Sequence, residues 1–239
     1  MHRHNHIFVT SLGCAFIGLL VRLLYCIQYP VQPRDAFTYQ RIILNWEESG
    51  KIIDPITFFP LSLFIQKIPY HFFHYDIIKG GVIVNNLFGL LIIIIATRFV
   101  SLFFKNDYAL LFAGLVAATH PSLVRFSCSL LRENIYLFFF LLSTYSLSLY
   151  FFKCKTRDMV AASIFGAISF LCRLEGAEIL PIFYIIILFL HLFGRIKFHT
   201  ALKHGTIFIL VFLLTVFVII NLFDFNTLSS SFFIYKFKI

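Results

Sequence analysis

Long apolar stretches separated by short polar ones set the plan of this chain. Windows run from Ile7 to Gln28, Val82 to Phe104, Tyr108 to Leu123, Asn134 to Phe152, Met159 to Cys172, Ile179 to Phe193 and Gly205 to Phe223. A membrane-crossing helix needs about 20 predominantly apolar residues, with about 17 to 25 tolerated. The pattern predicts an all-α polytopic membrane protein of about seven transmembrane segments, organised as one membrane domain over residues 1–239. The windows on either side of Arg173 are short for full spans, so Met159 to Phe193 also fits one broken or re-entrant hairpin buried in protein. Residues 30–81 are too long for a simple connector and predict a loop with structure of its own. Within it Tyr39, Ile42, Ile43 and Trp46 recur at helical spacing opposite Gln40, Arg41, Asn45, Glu47 and Glu48. That is the signature of a helix lying along a membrane surface, with Gly50 as its stop. A second piece, Phe58 to Phe73, is punctuated by Pro60 and Pro69, and no internal repeat is visible.

Composition excludes a soluble domain: 60% of residues are hydrophobic, 13% are charged and the mean hydropathy is +0.89, whereas soluble domains stay near half apolar. The net charge of +9 does not indicate nucleic acid, because the basic residues form no single stripe or patch. The first window is long for a signal-peptide core and lacks a small-residue cleavage site, so it reads as a retained span. The 33 phenylalanines read as lipid-facing or core filler. Cys14, Cys26, Cys128, Cys154 and Cys172 show no CxxC pair or ligand spacing, so neither a disulfide nor a metal role is assigned. The His2-Arg3-His4-Asn5-His6 tract suits a metal or a solvated basic tail; the tail is the simpler reading, and no metal site is assigned there.

Sidedness follows from the basic residues. With the N-terminus cytoplasmic, the inner segments collect Arg3, Arg98, Lys105, Lys153, Lys155, Arg157, Arg195, Lys197 and Lys203 against only Asp107 and Asp158. Short loops rich in Lys and Arg stay inside. The outer face then receives the other nine of the eleven acids, among them Asp35, Glu133 and Glu175, together with Arg34, Arg41, Arg125, Arg132 and Arg173.

Four places on that face carry candidate chemistry, and each has a structural alternative. Asp35 can cap the helix that follows it, or act as a base. Glu133 sits where a helix dipole favours a carboxylate. His120 precedes Pro121, which disfavours helical geometry before it and so ends the third span. Arg173-Leu174-Glu175-Gly176 either forms a charged turn, with Gly176 lending backbone freedom, or meets a substrate. Side chains two apart on a helix do not face each other, so Arg173 and Glu175 are not expected to pair. An outward carboxylate can take a proton from an acceptor hydroxyl, and a guanidinium can grip a phosphate and neutralise charge on a departing one.

The order of these features resembles the GT-C class of membrane glycosyltransferases that use polyprenyl-phosphate sugars, especially the protein-mannosyltransferase-like families. Arg34-Asp35-Ala36-Phe37-Thr38-Tyr39 resembles the first outer-loop motif, and Phe59-Pro60-Leu61 the proline segment after it. His120-Pro121 followed by Ser129-Leu130-Leu131-Arg132-Glu133-Asn134 resembles the stretch where a second acid opens the fourth span. Arg173-Leu174-Glu175-Gly176, ahead of Pro181, resembles the Arg-x-Glu-Gly element.

The resemblance implies transfer of a sugar from a polyprenyl-phosphate-linked donor to an acceptor hydroxyl on a lipid, protein or glycan. Asp35 would be the base with Glu133 supporting, Arg173 and Glu175 would serve the donor phosphate, and Tyr39 and His120 would position substrate. It names no cofactor and implies a bacterial inner (plasma) membrane. Family members carry several more spans, so the chain is expected to be the N-terminal part of such a fold. The alternative is an inactive truncated membrane protein or a lipid-binding partner. A transporter fits less well, because no paired broken spans recur in two halves.

Overall fold

In lipid every backbone amide needs an internal partner, and the apolar windows accordingly become helices. The computed structural model describes residues 2–29, 31–49, 60–71 and 76–222, and the regular structure of those residues is helical throughout. In chain order the helices are α1 (His2–Gln28), α2 (Arg34–Ser49), α3 (Pro60–Lys67), α4 (Ile77–Val100), α5 (Asp107–Thr119), α6 (Pro121–Ser127), α7 (Glu133–Lys153), α8 (Thr156–Cys172), α9 (Ile179–Leu192) and α10 (Phe198–Leu222), with 3-10 turns at Ile68–His71 and Leu174–Glu178. The expectations for Gly50, Phe58, Phe59, Phe72, Phe73 and the tail beyond Leu222 fall outside the described residues.

Among the described residues, five helical runs are long and apolar enough to cross a membrane, and the α5–α6 pair, bent by 52°, makes a sixth if it is one broken span. The windows predict about seven; the remaining one is α8, whose 17 residues extend roughly 26 Å at about 1.5 Å each, short of a hydrocarbon core of about 30 Å. The bend has a local cause. His120 holds ψ 121° ahead of Pro121, the extended geometry that a following proline imposes. The helix expected from the Tyr39, Ile42, Ile43 and Trp46 spacing is present as α2, which buries Ala36, Ile42, Ile43 and Trp46. Helix α4 starts before the apolar window, because Asp76 accepts the Lys79 amide at 2.9 Å and caps it.

The chain divides into two compact units, Met1–Asp54 with Leu61–Phe138, and Pro55–Pro60 with Phe139–Ile239. In the first, α1, α4 and α5 pack on one another through small residues, the usual way helices approach in lipid. A Cβ on Gly18 would strike Ile93, one on Gly81 would strike Leu130, and one on Gly114 would sit 2.6 Å from Cys14 Sγ. In the second, α8, α9 and α10 surround Phe183, which stacks on Phe208 at 3.8 Å between ring centres. Beside them Tyr150 Oη and His204 Nδ1 lie 2.7 Å apart. Arg195 donates to Phe151 O and Phe152 O, both at 2.9 Å, satisfying carbonyls that the end of α7 leaves open.

One expectation is overturned: Cys26 and Cys128 form a disulfide, with Cα atoms 5.3 Å apart and a sequence separation of 102. A search for close CxxC spacing cannot detect a bridge between the end of α1 and the residue after α6. The usable signal was positional, since both cysteines fall where spans finish on the same predicted side.

Candidate functional site

Between α6 and α7 the chain runs through Cys128–Arg132 without forming a helix, in a protein where non-helical backbone is tolerated only when buried or lining a cavity. Four amide side chains hold this segment and the last residue of α6 before it. Gln32 Nε2 donates to Cys128 O at 3.1 Å, and Gln32 Oε1 accepts from Leu130 N at 3.0 Å. Asn85 Nδ2 donates to Ser129 O at 2.5 Å and to Leu131 O at 2.6 Å, and Gln66 Nε2 reaches Leu131 O at 2.5 Å. Asn86 Nδ2 donates to Ser127 O at 3.0 Å. The Cys26–Cys128 bridge fastens the same segment covalently.

Below it lies Arg22, fully buried in the middle of the unit. Its Nη1 donates to Gly18 O and to Ala118 O at 3.0 Å each, and its Nε donates to Ser127 Oγ at 2.9 Å. Ala118 O belongs to the last turn of α5, whose carbonyls lose their helical partners at the His120–Pro121 break. A cation at that end also suits the helix dipole. Arg22 therefore supports the broken span. Asn134, also fully buried, ties the start of α7 to the same network by donating to Asn85 O at 3.0 Å and Ser127 Oγ at 2.7 Å.

This framework fixes what stands on it. Glu133 is the first residue of α7 and is half-buried. Arg132 lies over the Tyr39 ring, 5.4 Å from its centre, within the usual range of a cation–π contact. The contact joins the start of α7 to α2, whose packed face makes it a firm support. Asp35 precedes Tyr39 by one helical turn and so shares its face. It is exposed, and its carboxylate makes no hydrogen bond or ion pair among the described residues. Because α2 begins at Arg34, with Ala36 N donating to Pro33 O at 3.0 Å, the expected side-chain cap by Asp35 is not formed. His120 is exposed at the elbow between α5 and α6, two residues beyond the carbonyl held by Arg22.

In the second unit, Arg173 and Glu175 do pair, against expectation. Arg173 Nε donates to Glu175 Oε2 at 3.2 Å and Nη2 to Oε1 at 2.5 Å, the two-pronged geometry natural to guanidinium and carboxylate. The helical-spacing argument fails because Arg173 is extended, with φ −157° and ψ 147°, and a 3-10 turn follows it. Gly176 serves space rather than backbone freedom. A Cβ there would collide with backbone of Ser169 and Phe170 in α8, and no left-handed backbone is found at this position.

Arg22, Gln32, Gln66, Asn85 and Arg132 were not singled out by the sequence patterns. Arg22 carried a readable signal, as the lone charge between Ile7 and Gln28, and an ionisable residue inside a span is a site candidate by default.

Fold and framework together define an integral membrane protein of helical, polytopic type. No family model matches the chain. A search of curated proteins likewise finds no match.

Proposed function

We propose that this protein transfers a sugar from a polyprenyl-phosphate-linked donor to an acceptor hydroxyl, with Asp35 as the base. The observation that carries the reading is an exposed carboxylate without structural employment, on a helix face joined by the Tyr39–Arg132 contact to an acid-bearing helix start that four amides, a disulfide and a buried arginine hold in place. In this reading Asp35 takes the hydroxyl proton, the acceptor oxygen bonds to the anomeric carbon, and the bond from that carbon to the phosphate oxygen breaks. Glu133 supports the base. Arg173, oriented by Glu175, binds the donor phosphate and neutralises its charge as it departs. Tyr39 and His120 position substrate.

The reading places Asp35 and Glu133 on the outer side of a bacterial inner (plasma) membrane, with the N-terminus cytoplasmic. The Cys26–Cys128 bridge supports that orientation independently of the basic loops, because disulfides persist in oxidising compartments and are rare in the cytosol.

The test is sugar transfer from lipid-linked donor by wild type, Asp35→Asn and Glu133→Gln. Asp35→Asn is expected to lower turnover by about 100-fold or more, the scale of a lost general base, with Glu133→Gln smaller. Unchanged turnover in Asp35→Asn would remove the base assignment. Retained donor binding without transfer by wild type would favour a lipid-binding partner.

A further inference from the structure

At the end of the first unit where α1 finishes, a cavity of about 240 Å³ opens between Tyr25, Tyr29, Gln32, Arg125 and Ser129. We propose that it seats the phosphate group of a membrane lipid, an assignment that requires only that the protein is embedded in a bilayer. The cavity is built rather than incidental. Gln32 and Ser129 both line it, and the backbone on either side of Ser129 is gripped by the Gln32 amide and tied to α1 by the Cys26–Cys128 bridge. Ser129 Oγ donates to Arg125 O at 3.0 Å, which ties Ser129 to the last turn of α6.

Arg125 supplies the charge. It is exposed, and its guanidinium has no acid or hydrogen-bond acceptor among the described residues. Arg132, by contrast, lies over Tyr39, Arg173 is paired with Glu175, and Arg195 caps α7. A planar fork of donors without an acid matches a phosphate. Tyr25 and Tyr29, with ring centres 5.0 Å apart, both line the cavity, at the span end where tyrosines favour the headgroup layer.

The neighbouring surface favours a lipid over a free ion. Tyr29 and Val31, which both line the cavity, are 58% and 83% exposed, so apolar surface adjoins the seat itself. An amphiphile with its phosphate at Arg125 can lay apolar chain against them, a contact that a soluble anion does not make.

The experiment is native mass spectrometry of the intact chain released from detergent, titrated with dioleoyl phosphatidic acid, with dioleoyl phosphatidylcholine as the comparison lipid. Wild type is expected to hold phosphatidic acid about tenfold more tightly than phosphatidylcholine. Arg125→Gln is expected to erase that preference and Arg125→Lys to restore part of it, since a lysine keeps the charge without the fork. Thiol counting of Arg125→Gln under non-reducing conditions confirms that the Cys26–Cys128 bridge, which anchors the segment carrying Ser129, is intact. The same preference in Arg125→Gln as in wild type overturns the proposal. Displacement of bound phosphatidic acid by millimolar inorganic phosphate also overturns it, by assigning the seat to the free anion. Because the readout is lipid binding, loss of sugar transfer in the Asp35 variant leaves this result untouched, and the converse holds.

Discussion

Replacing Asn85 with leucine tests whether the amide clamp holds the α6–α7 segment. Asn85 is fully buried and donates to two carbonyls, Ser129 O and Leu131 O. Neither carbonyl is orphaned by the change, since Leu131 O keeps Gln66 Nε2 and Ser129 O keeps Leu131 N at 2.9 Å. The third contact of Asn85, its Oδ1 accepting from Gln66 Nε2, is long at 3.4 Å and adds little, so the loss is chiefly the two donated hydrogen bonds, each about 0.6 kcal/mol by membrane-protein cycles and about 1 to 1.5 kcal/mol by soluble-protein series, or roughly 1 to 3 kcal/mol in all. At about 2 to 4 °C per kcal/mol for a chain of this size, the melting temperature should fall by roughly 2 to 12 °C.

Asn85→Asp sharpens the test. It replaces the donor with a carboxylate facing two carbonyl oxygens, so it should be worse than Asn85→Leu at neutral pH and improve on acidification, when the acid can donate. Melting is followed with a thiol-reactive dye in a Cys154→Ser, Cys172→Ser background, so that the signal reports on Cys14, which is buried until the first unit opens. If Asn85→Leu melts with wild type, or Asn85→Asp is no worse than Asn85→Leu, the clamp does not carry the load assigned to it.

Gly89→Ala should destabilise by about 1 to 3 kcal/mol through overpacking, because the added Cβ would lie 2.9 Å from Arg22 Nε and 3.2 Å from Asn134 Nδ2. Gly13→Ala, also within a helix but with nothing within 4 Å of the added Cβ, is the control in the same melt and should not destabilise. Under denaturing, non-reducing conditions a maleimide should label three thiols, Cys14, Cys154 and Cys172, and all five only after reduction; five without reduction would contradict the bridge. At Asp76 the amide of Lys79 holds the carboxyl below its ordinary range, with the Lys79 charge adding to the effect. A depressed folded value means that the capping contribution is present above the ordinary carboxylate range and is lost as pH falls through the lowered value. Hydrogen exchange at the start of α4 should therefore quicken on acidification in wild type, and an Asp76→Asn variant should lack that dependence.

The helices were legible because lipid leaves the backbone few alternatives, and apolar windows report that constraint directly. The buried face of α2 was legible too: Ile42, Ile43 and Trp46 are inside as their spacing predicts, and the break at His120 follows from Pro121. Long-range polar pairings were not legible. Nothing in a one-dimensional pattern joins Gln32 to Cys128, Asn85 to Leu131 or Cys26 to Cys128, because each pair is formed only when separate spans meet. The Arg173–Glu175 pair failed for a local reason, a backbone that leaves the helix at the residue where helical spacing was applied. Charged and amide residues inside spans were the signal worth following, with Arg22 the clearest case.

The most direct measurement of the central claim is acceptor-dependent release of polyprenyl phosphate in proteoliposomes loaded with polyprenyl-phosphate-linked sugar. Wild type should release it only when acceptor is present, and Asp35→Asn should release about 100-fold less while retaining donor. Equal release by both proteins, or none by wild type under any acceptor, would contradict the account.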